Sequence, residues 1–486
     1  MKKLLVCALL LAATLSAVAQ NPKREFRGAW MHTVWQNGYH DRSTNENKEY
    51  LRDQLDILQQ AGCNAVIFQV RPQADAFYES RLEPWSRFLT DGGKAPEPMW
   101  DPLEFMIEEC HARGMELHAW LNPYRVTTSK SQRLPSNHIY YQHKDWFVTY
   151  DGKIYFDPGL PECRQFIVKV VQDIVKRYDV DGIHFDDYFY PYPVSGLDFP
   201  DSRSFSRYGR GKSRGDWRRQ NVDQLIEAVH KAITVTKPWV VFGISPFGIW
   251  RNKSSDPNGS NTNGLQNYDD LYADVLLWAR NGWIDYLLPQ LYWELEHKKA
   301  SYMVLVDWWN NHTEGRNMYI GQDIAVTMKK PDIAPSTEAT QLRHKINLTR
   351  GAEHIGGNCW WPAYSLTENH YGVADSLAMD LQSTIALVPT YPWINSDKPA
   401  APTNVKVSGK RISWKQPRII HSPADAVKFV VYRFDSVETI DLEAADAIVA
   451  VTYKDKYEAT EPGVYVVTSL SRVNQESDPA GPVVVK

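Results

Sequence analysis

The sequence predicts an α/β protein in which a closed (β/α)8 TIM barrel is followed by a small all-β sandwich domain. Short apolar segments alternate with amphipathic helical segments eight times between residues 26 and 385. Helix-to-strand connections have one to four residues, whereas several strand-to-helix connections are long. This asymmetry favours a barrel with its loops at one rim over an open doubly wound sheet. Beyond residue 402 only strand-like segments and turn residues remain.

Each barrel strand is predicted from a short apolar segment, and each helix from an apolar period of 3.6 residues. The strands are predicted over 26–32, 64–70, 115–122, 180–187, 239–246, 285–292, 318–324 and 355–361. The helices are predicted over 47–60, 101–113, 162–178, 217–236, 268–281, 299–312, 338–350 and 371–385. Asp101 followed by Pro102 is typical of a helix start, and Gly62 and Gly114 are typical of helix ends.

The first 19 residues, MKKLLVCALLLAATLSAVA, have the lysine pair, apolar run and A-x-A ending of a cleaved secretory signal peptide. A secreted or periplasmic location is therefore expected, with cleavage near Ala19. No later segment reaches the roughly 18 apolar residues of a membrane span. Residues 24–389 are assigned to the barrel and 390–402 to a proline-rich linker. Residues 403–486, with TNVKVSGKRISWKQP and AVKFVVYRF, resemble a fibronectin type III sandwich.

Composition and short motifs argue against several classes of function. Lys and Arg total 54 against 58 Asp and Glu, so no basic excess indicates a nucleic acid partner. The four cysteines after the leader contain no C-x-x-C pair, which argues against structural zinc and favours buried free thiols over disulfides. The Gly211-Lys212-Ser213 segment fails the P-loop pattern, because Ser206 stands where a glycine is needed. We expect no cofactor, no metal and a monomer.

The fourth strand ends in two adjacent acids, Asp186 and Asp187. Because side chains alternate along a strand, His184 and Asp186 are predicted to face the barrel interior together. Adjacent carboxylates are costly to bury without a partner or a task. Either they contact ligand or act in catalysis, or one caps the following loop while the other pairs with an arginine. A metal held by His184 and both aspartates is a further alternative.

The same alternation places polar and aromatic side chains at other strand ends. Arg71 is predicted either to orient Asp186 and hold it ionised or to form a structural salt bridge. His118 is either a core histidine or, with Trp120 and Asn122, part of a sugar-binding wall. The aromatic residues either stack on sugar rings or only pack the core. The candidate binding residues are Gln69, Arg71, His118, Trp120, Asn122, Tyr124, Arg125, His184, Tyr188, Tyr190, Gln290, Tyr292, Trp293, Trp360 and Trp361.

Five ordered motifs, FRGAWMHTVW, VIFQVRPQADAFYES with EPWS, LHAWLNPYRV, GIHFDDYFYPYP and LLPQLYW, resemble the bacterial glycosyl-hydrolase-like family ten. The resemblance covers roughly residues 24–360. It implies a secreted TIM-barrel glycosidase acting on bacterial or dietary polysaccharide, with cell-wall glycan as the favoured substrate class. The DGIHFD segment is also similar to the fourth strand of amylase-type barrels, in which the last Asp is the nucleophile. That similarity implies the same role for Asp186.

Most barrel glycosidases need two carboxyl groups, one as nucleophile or base and one as acid. With Asp186 in the first role, the candidate acids are Asp187 or Glu294, then Asp75, then Asp323. We therefore expect a glycoside hydrolase that uses a carboxylate pair. One alternative is a non-catalytic glycan-binding protein with a single carboxylate beside its aromatic groove. Another is a metal-dependent glycan esterase or deacetylase.

Overall fold

The computed structural model describes residues 21–35 and 38–486, so the signal-peptide prediction for residues 1–19 lies outside the described part. Eight parallel strands close into a barrel whose order follows the chain. The strands are β1 Phe26–Met31, β2 Ala65–Arg71, β3 Glu116–Leu121, β4 Gly182–Phe185, β5 Val241–Ile244, β6 Tyr286–Leu287, β7 Asn317–Asp323 and β8 Ile355–Trp361. The predicted barrel is thus confirmed, with β6 shortened to two residues.

Seven helices follow the barrel strands and lie within or close to the predicted ranges. They are α1 Thr44–Gln60, α2 Pro102–Ala112, α3 Pro161–Arg177, α4 Arg214–Thr236, α5 Val275–Arg280, α6 Tyr302–Asn310 and α7 Leu342–Gly351. The predicted helix over 268–281 is divided in the structure into Asn267–Asp270 and Val275–Arg280. The predicted helix over 371–385 is confirmed in part, because Val373–Ser376 is α-helical and Leu377–Leu381 continues it as a π-helix, whereas residues 382–385 are not helical. The strand-to-helix loops hold an antiparallel hairpin and several short helices. These are Phe147–Tyr150 with Lys153–Phe156, and Ile139–Gln142, Ser202–Tyr208, Asn267–Asp270, Ile324–Lys329 and Ala363–Thr367.

The predicted helix boundaries have the expected local chemistry. The Asp101 carboxylate accepts hydrogen bonds from two backbone N–H groups in the first turn of α2, which satisfies donors that the helix itself leaves open. Gly62 and Gly114 follow α1 and α2 with φ of +84° and +73°, a conformation that costs other residues energy. The two glycines end their helices, and the chain continues within three residues into β2 and β3.

Glycines on three strands make room for large rings inside the barrel. A Cβ on Gly182 would lie 2.7 Å from the His118 ring, and one on Gly243 would lie 1.9 Å from the Tyr286 ring. A Cβ on Gly321 would similarly lie 2.8 Å from Trp30. The barrel interior is therefore filled by rings, and polar atoms of these rings meet on the barrel axis.

Replacing Gly243 by Ala should destabilise the protein, because the added methyl group must displace the buried Tyr286 ring. Overpacking of this kind costs about 1–3 kcal/mol. Urea unfolding measures the effect, with Gly215→Ala in α4 as the control, since a Cβ there meets nothing closer than 3.5 Å. Equal unfolding midpoints for the two variants would contradict the packing argument.

Beyond residue 402 the described chain forms two antiparallel sheets of three and four strands. The strands are Thr403–Ser408, Arg411–Lys415, Ala426–Phe434, Ile448–Thr452, Lys456–Glu458, Gly463–Ser471 and Ala480–Val485. Trp414, Phe429 and Tyr465 are buried among aliphatic side chains from both sheets. The all-β pattern agrees with the prediction, whereas the fibronectin type III assignment and the exact boundaries stay predictions. We refer to residues 403–486 as the C-terminal unit.

The C-terminal unit packs against the amino-terminal end of the barrel strands. Lys428 Nζ donates to Glu116 Oε1 at 2.6 Å, and both side chains are almost completely buried. The Tyr453 ring stacks on His111 with 4.2 Å between ring centroids, and the His111 imidazole contacts Asp181 at 2.9 Å. A lysine of the C-terminal unit therefore forms a buried ion pair with the first residue of β3.

Two further expectations concern cysteines and membrane spans. All four cysteines in the described part of the chain are buried, and none of them forms a disulfide: Cys63, Cys110, Cys163 and Cys359. Over the same residues, no helix combines the length and the apolar character needed to cross a bilayer.

Candidate active site

A cavity of about 270 Å³ lies at the carboxyl ends of the barrel strands. Its aromatic lining consists of Trp30, Trp35, Trp120, Tyr188, Tyr292 and Trp361. Its polar lining consists of His32, Gln69, Arg125, Asp186, Asp187, Ser245 and Gln290. The predicted location at the rim is therefore where the structure brings aromatic rings and carboxylates together.

Asp186 is 4% exposed and accepts three hydrogen bonds. Trp120 Nε1 donates to Oδ2 at 3.1 Å, the Asn122 amide donates to the same oxygen, and the Tyr188 N–H donates to Oδ1 at 3.2 Å. Burial raises the pKa of Asp186, while the Arg125 charge and these donors oppose the rise. Arg125 and the three donors thus offset part of the cost of burying a negative charge on Asp186.

The orientation of the Asn122 amide is determined by its neighbours. Its Oδ1 accepts from Gln69 Nε2 at 2.6 Å and from Arg125 at 2.7 Å, so its NH2 group must face Asp186. Gln69 is held in turn, since its Oε1 accepts the Thr33 N–H at 2.9 Å. Gln69, Asn122 and Arg125 therefore act together on one carboxylate.

Asp187 lines the same cavity in a different environment. Burial, and then the neighbouring Asp186 charge, raise the pKa of Asp187 to about 7, although the Tyr192 hydroxyl donates to its Oδ2. Its Oδ1 is buried and has no hydrogen-bond partner among the described residues. Within a strand, two adjacent side chains point to opposite faces of the sheet. β4 ends at Phe185, so this rule does not apply to Asp186 and Asp187, and both can line the cavity.

Arg71 does not orient Asp186. Its guanidinium forms two hydrogen bonds to Glu83, at 2.7 and 2.5 Å, and two more to the carbonyls of Asn122 and Pro123. Both side chains of this ion pair are fully buried. The structural alternative is thus correct for Arg71, and the cation that acts on Asp186 is Arg125.

The other candidate acids do not line the cavity. Glu294 pairs with Lys330 at 3.3 Å on a partly exposed surface. Asp75 is buried beside β2, where its Oδ1 accepts the Gln73 N–H and burial raises its pKa to about 6. Asp323 caps the helix Ile324–Lys329. Asp187 is therefore the only predicted acid that shares the cavity with Asp186.

Several predicted binding residues lie outside the cavity. His118 is buried below it and contacts Tyr286 and Glu116, as expected of a core histidine. Trp360 faces away from the barrel axis and donates to Gln382. Three further residues pack against other side chains and do not line the cavity: Tyr124, Tyr190 and Trp293. His184 lies beneath the cavity, where its Nε2 contacts the lining residue Ser245 at 2.9 Å.

The lining at the end of β1, which includes Trp30 and His32, was not predicted, and neither was Ser245 after β5. Trp30 lies on β1 and His32 follows its last residue, so the alternation used for His184 and Asp186 could have found them. Ser245 continues the alternation from Gly243. Over the described ranges, no group of three or more His, Cys, Asp or Glu side chains is arranged to hold a metal ion.

Comparisons with known proteins identify the family of this chain. The chain is 38% identical to the glycosyl hydrolase YngK of Bacillus subtilis over 98% of its length and 96% of that protein. It is 38% identical to the glycosyl hydrolase DigH of Escherichia coli K12 over 70% of this chain and 83% of that protein. The glycoside hydrolase domain of PgaB (BpsB) from Bordetella bronchiseptica overlaps 73% of this chain and 99% of that domain, at 11% identity and a TM-score of 0.45. The profile of the glycosyl hydrolase-like 10 family matches residues 25–334. The chain belongs to the glycosyl hydrolase-like 10 family.

Proposed function

We propose that the protein is a secreted glycoside hydrolase that cleaves glycosidic bonds in bacterial cell-wall or related polysaccharide. The observation that carries the proposal is the pair of buried carboxyl groups, Asp186 and Asp187, in one aromatic-lined cavity. The names of the relatives support hydrolysis of a glycan, and the leader-like residues 1–19 support secretion.

The two carboxyl groups take different roles because their surroundings differ. Asp187, with a pKa raised to about 7, is protonated below about neutral pH and donates its proton to the oxygen of the leaving sugar. Asp186, held by three donors and facing the Arg125 charge, serves as the ionised nucleophile or stabiliser of positive charge at the anomeric carbon. Adjacent like charges in a buried site favour this division, since ionising both at once is costly.

The aromatic lining supports a sugar ligand. Trp120 and Trp361 meet edge to face at 6.2 Å, and Tyr188 and Trp35 are 38% and 59% exposed at the mouth. Such rings offer flat apolar faces to the C–H faces of pyranose rings. A glycan chain would then be held by stacking, with its glycosidic oxygen near the carboxyl pair.

The test is product release from peptide-free cell-wall glycan strands by wild type, Asp186→Asn and Glu294→Gln. We expect Asp186→Asn to lose at least about a hundredfold in rate while still binding glycan, since one catalytic group contributes about 10²–10⁴. Glu294→Gln is the matched control, because this carboxylate lies outside the cavity. Binding without cleavage by the wild type, across a panel of glycans, would instead indicate a glycan-binding protein. Chelator-sensitive release of acetate would indicate an esterase or deacetylase.

A further inference from the structure

A column of hydrogen bonds runs along the barrel axis from the C-terminal unit to the floor of the cavity. Lys428 contacts Glu116 at 2.6 Å, and Glu116 Oε2 lies 3.3 Å from His118 Nε2. His118 Nδ1 and His184 Nδ1 both lie 2.9 Å from the Tyr286 hydroxyl oxygen. All five side chains are buried, so protons in the column are governed by these contacts and not by solvent.

The upper end of the column determines which nitrogen of His184 carries the proton. Trp30 Nε1 donates to His184 Nε2 at 3.3 Å, and an indole N–H can only donate. His184 Nε2 is therefore an acceptor without a proton of its own. The Ser245 hydroxyl lies 2.9 Å from the same nitrogen, which has no proton to give, so the hydroxyl is the second donor and shares the single lone pair with Trp30.

The proton position on His184 fixes the donor and the acceptor of every other hydrogen bond in the column. The remaining proton of His184 lies on Nδ1 and is donated to the Tyr286 oxygen, because burial lowers the pKa of His184 and keeps its ring neutral. The Tyr286 proton is then donated to His118 Nδ1, and His118 Nε2–H is donated to Glu116. Below His184 Nε2, whose lone pair two donors share, each contact of the column has one donor and one acceptor.

The lower end of the column agrees with this direction. Burial alone would raise the pKa of Glu116, but the Lys428 ammonium and the His118 ring together outweigh burial and hold the pKa well below its usual value. The Asn474 amide donates to the same oxygen as Lys428, at 2.9 Å. Glu116 is thus an ionised acceptor, fixed by two side chains of the C-terminal unit.

We infer that Ser245 is a ligand-binding residue. Its hydroxyl oxygen accepts a hydrogen bond from a sugar hydroxyl or amide N–H group, because the hydroxyl proton of Ser245 is already donated to His184. Ser245 lines the cavity together with Asp186 and Asp187. Its backbone is held on both sides, since its N–H donates to the Phe185 carbonyl and its carbonyl accepts from Gln290, each at 2.9 Å. The inference rests on the proposed function only for the nature of the ligand.

The direction of the column can be measured without any substrate. We expect ¹⁵N NMR of the full-length protein, labelled at histidine, to show a neutral His184 ring with its proton on Nδ1, and a proton on Nε2 of His118. Ser245→Ala should shift the Nε2 signal of His184, which identifies that ring. A proton on Nε2 of His184, or a cationic His184, would overturn the inference.

The ligand contact is tested by calorimetric titration with peptide-free glycan strands in the Asp186→Asn background, in which cleavage is expected to be too slow to disturb the titration. Adding Ser245→Ala should weaken binding about three- to tenfold, as loss of one neutral hydrogen bond does. Ser204→Ala is the control, because Ser204 is equally buried but donates to Asp201 away from the cavity. Unchanged binding on loss of Ser245 would overturn the inference. If the Asp186→Asn variant with Ser245 intact binds no glycan, the result contradicts the proposed function. The histidine NMR measurement would then still decide the direction of the hydrogen bonds in the column.

Discussion

Asp187→Asn should lower the rate of glycan cleavage by about 10²–10⁴-fold, because an amide cannot protonate the leaving oxygen. The wild-type rate should fall as the pH rises past about 7, where the raised pKa of Asp187 lets its proton go. The residual rate of the variant should lack this alkaline decline. The measurement is kcat/KM across pH for both proteins on the same glycan strands.

The same variant should not be less stable than wild type at pH 8. Folded Asp187 binds its proton more tightly than an Asp in the unfolded chain, whose ordinary pKa is 3.8, so wild-type stability decreases as pH rises from about 4 to about 7. Asn does not titrate and should remove this loss. Urea unfolding at pH 5 and pH 8 checks the sign. A large loss of stability at pH 8 would mean that lost activity reports misfolding and not lost acid catalysis.

Lys428→Met should lower the free energy of unfolding by about 3–5 kcal/mol, because it leaves the Glu116 carboxylate buried without its cation. The chain offers a matched control in Lys398→Met. Lys398 also contacts a carboxylate, Asp478, at 2.6 Å, but both side chains are more than two-thirds exposed. An exposed pair of this kind contributes at most about 1 kcal/mol. Denaturant unfolding of both variants gives the comparison, and equal effects would contradict the assigned burial of the Lys428 pair.

Much of the fold was predictable because it depends on local periodicity. Apolar periods and helix-ending glycines located the eight strands and most of the helices, and loop asymmetry located the rim that carries the cavity. Alternation along the predicted strand 180–187 placed His184 and Asp186 on the barrel interior, and both side chains lie there, although β4 itself ends at Phe185. The predicted helix after β8 begins as an α-helix over Val373–Ser376 but continues as a π-helix over Leu377–Leu381, which apolar spacing did not indicate.

The remaining details depend on contacts that periodicity cannot encode. Alternation predicts which face of a strand a side chain occupies, but not how far along the barrel axis it lies. His118 and Trp120 were therefore both predicted to bind ligand, although His118 lies below the cavity and Trp120 lines it. It also cannot identify Glu83, twelve residues away in a loop, as the partner of Arg71. Finally, Trp360 and Trp361 are adjacent on β8, so only one of them can face the cavity, and it is Trp361.

The burial of Lys428 has a consequence for how this protein can be recombined. Domains joined by a flexible linker are commonly exchanged between proteins, because each domain has its own complete hydrophobic core. Here the C-terminal unit supplies a cation and an amide to a carboxylate that belongs to the barrel. A chimera that joins this barrel to a foreign module must therefore reproduce both groups or replace Glu116 as well.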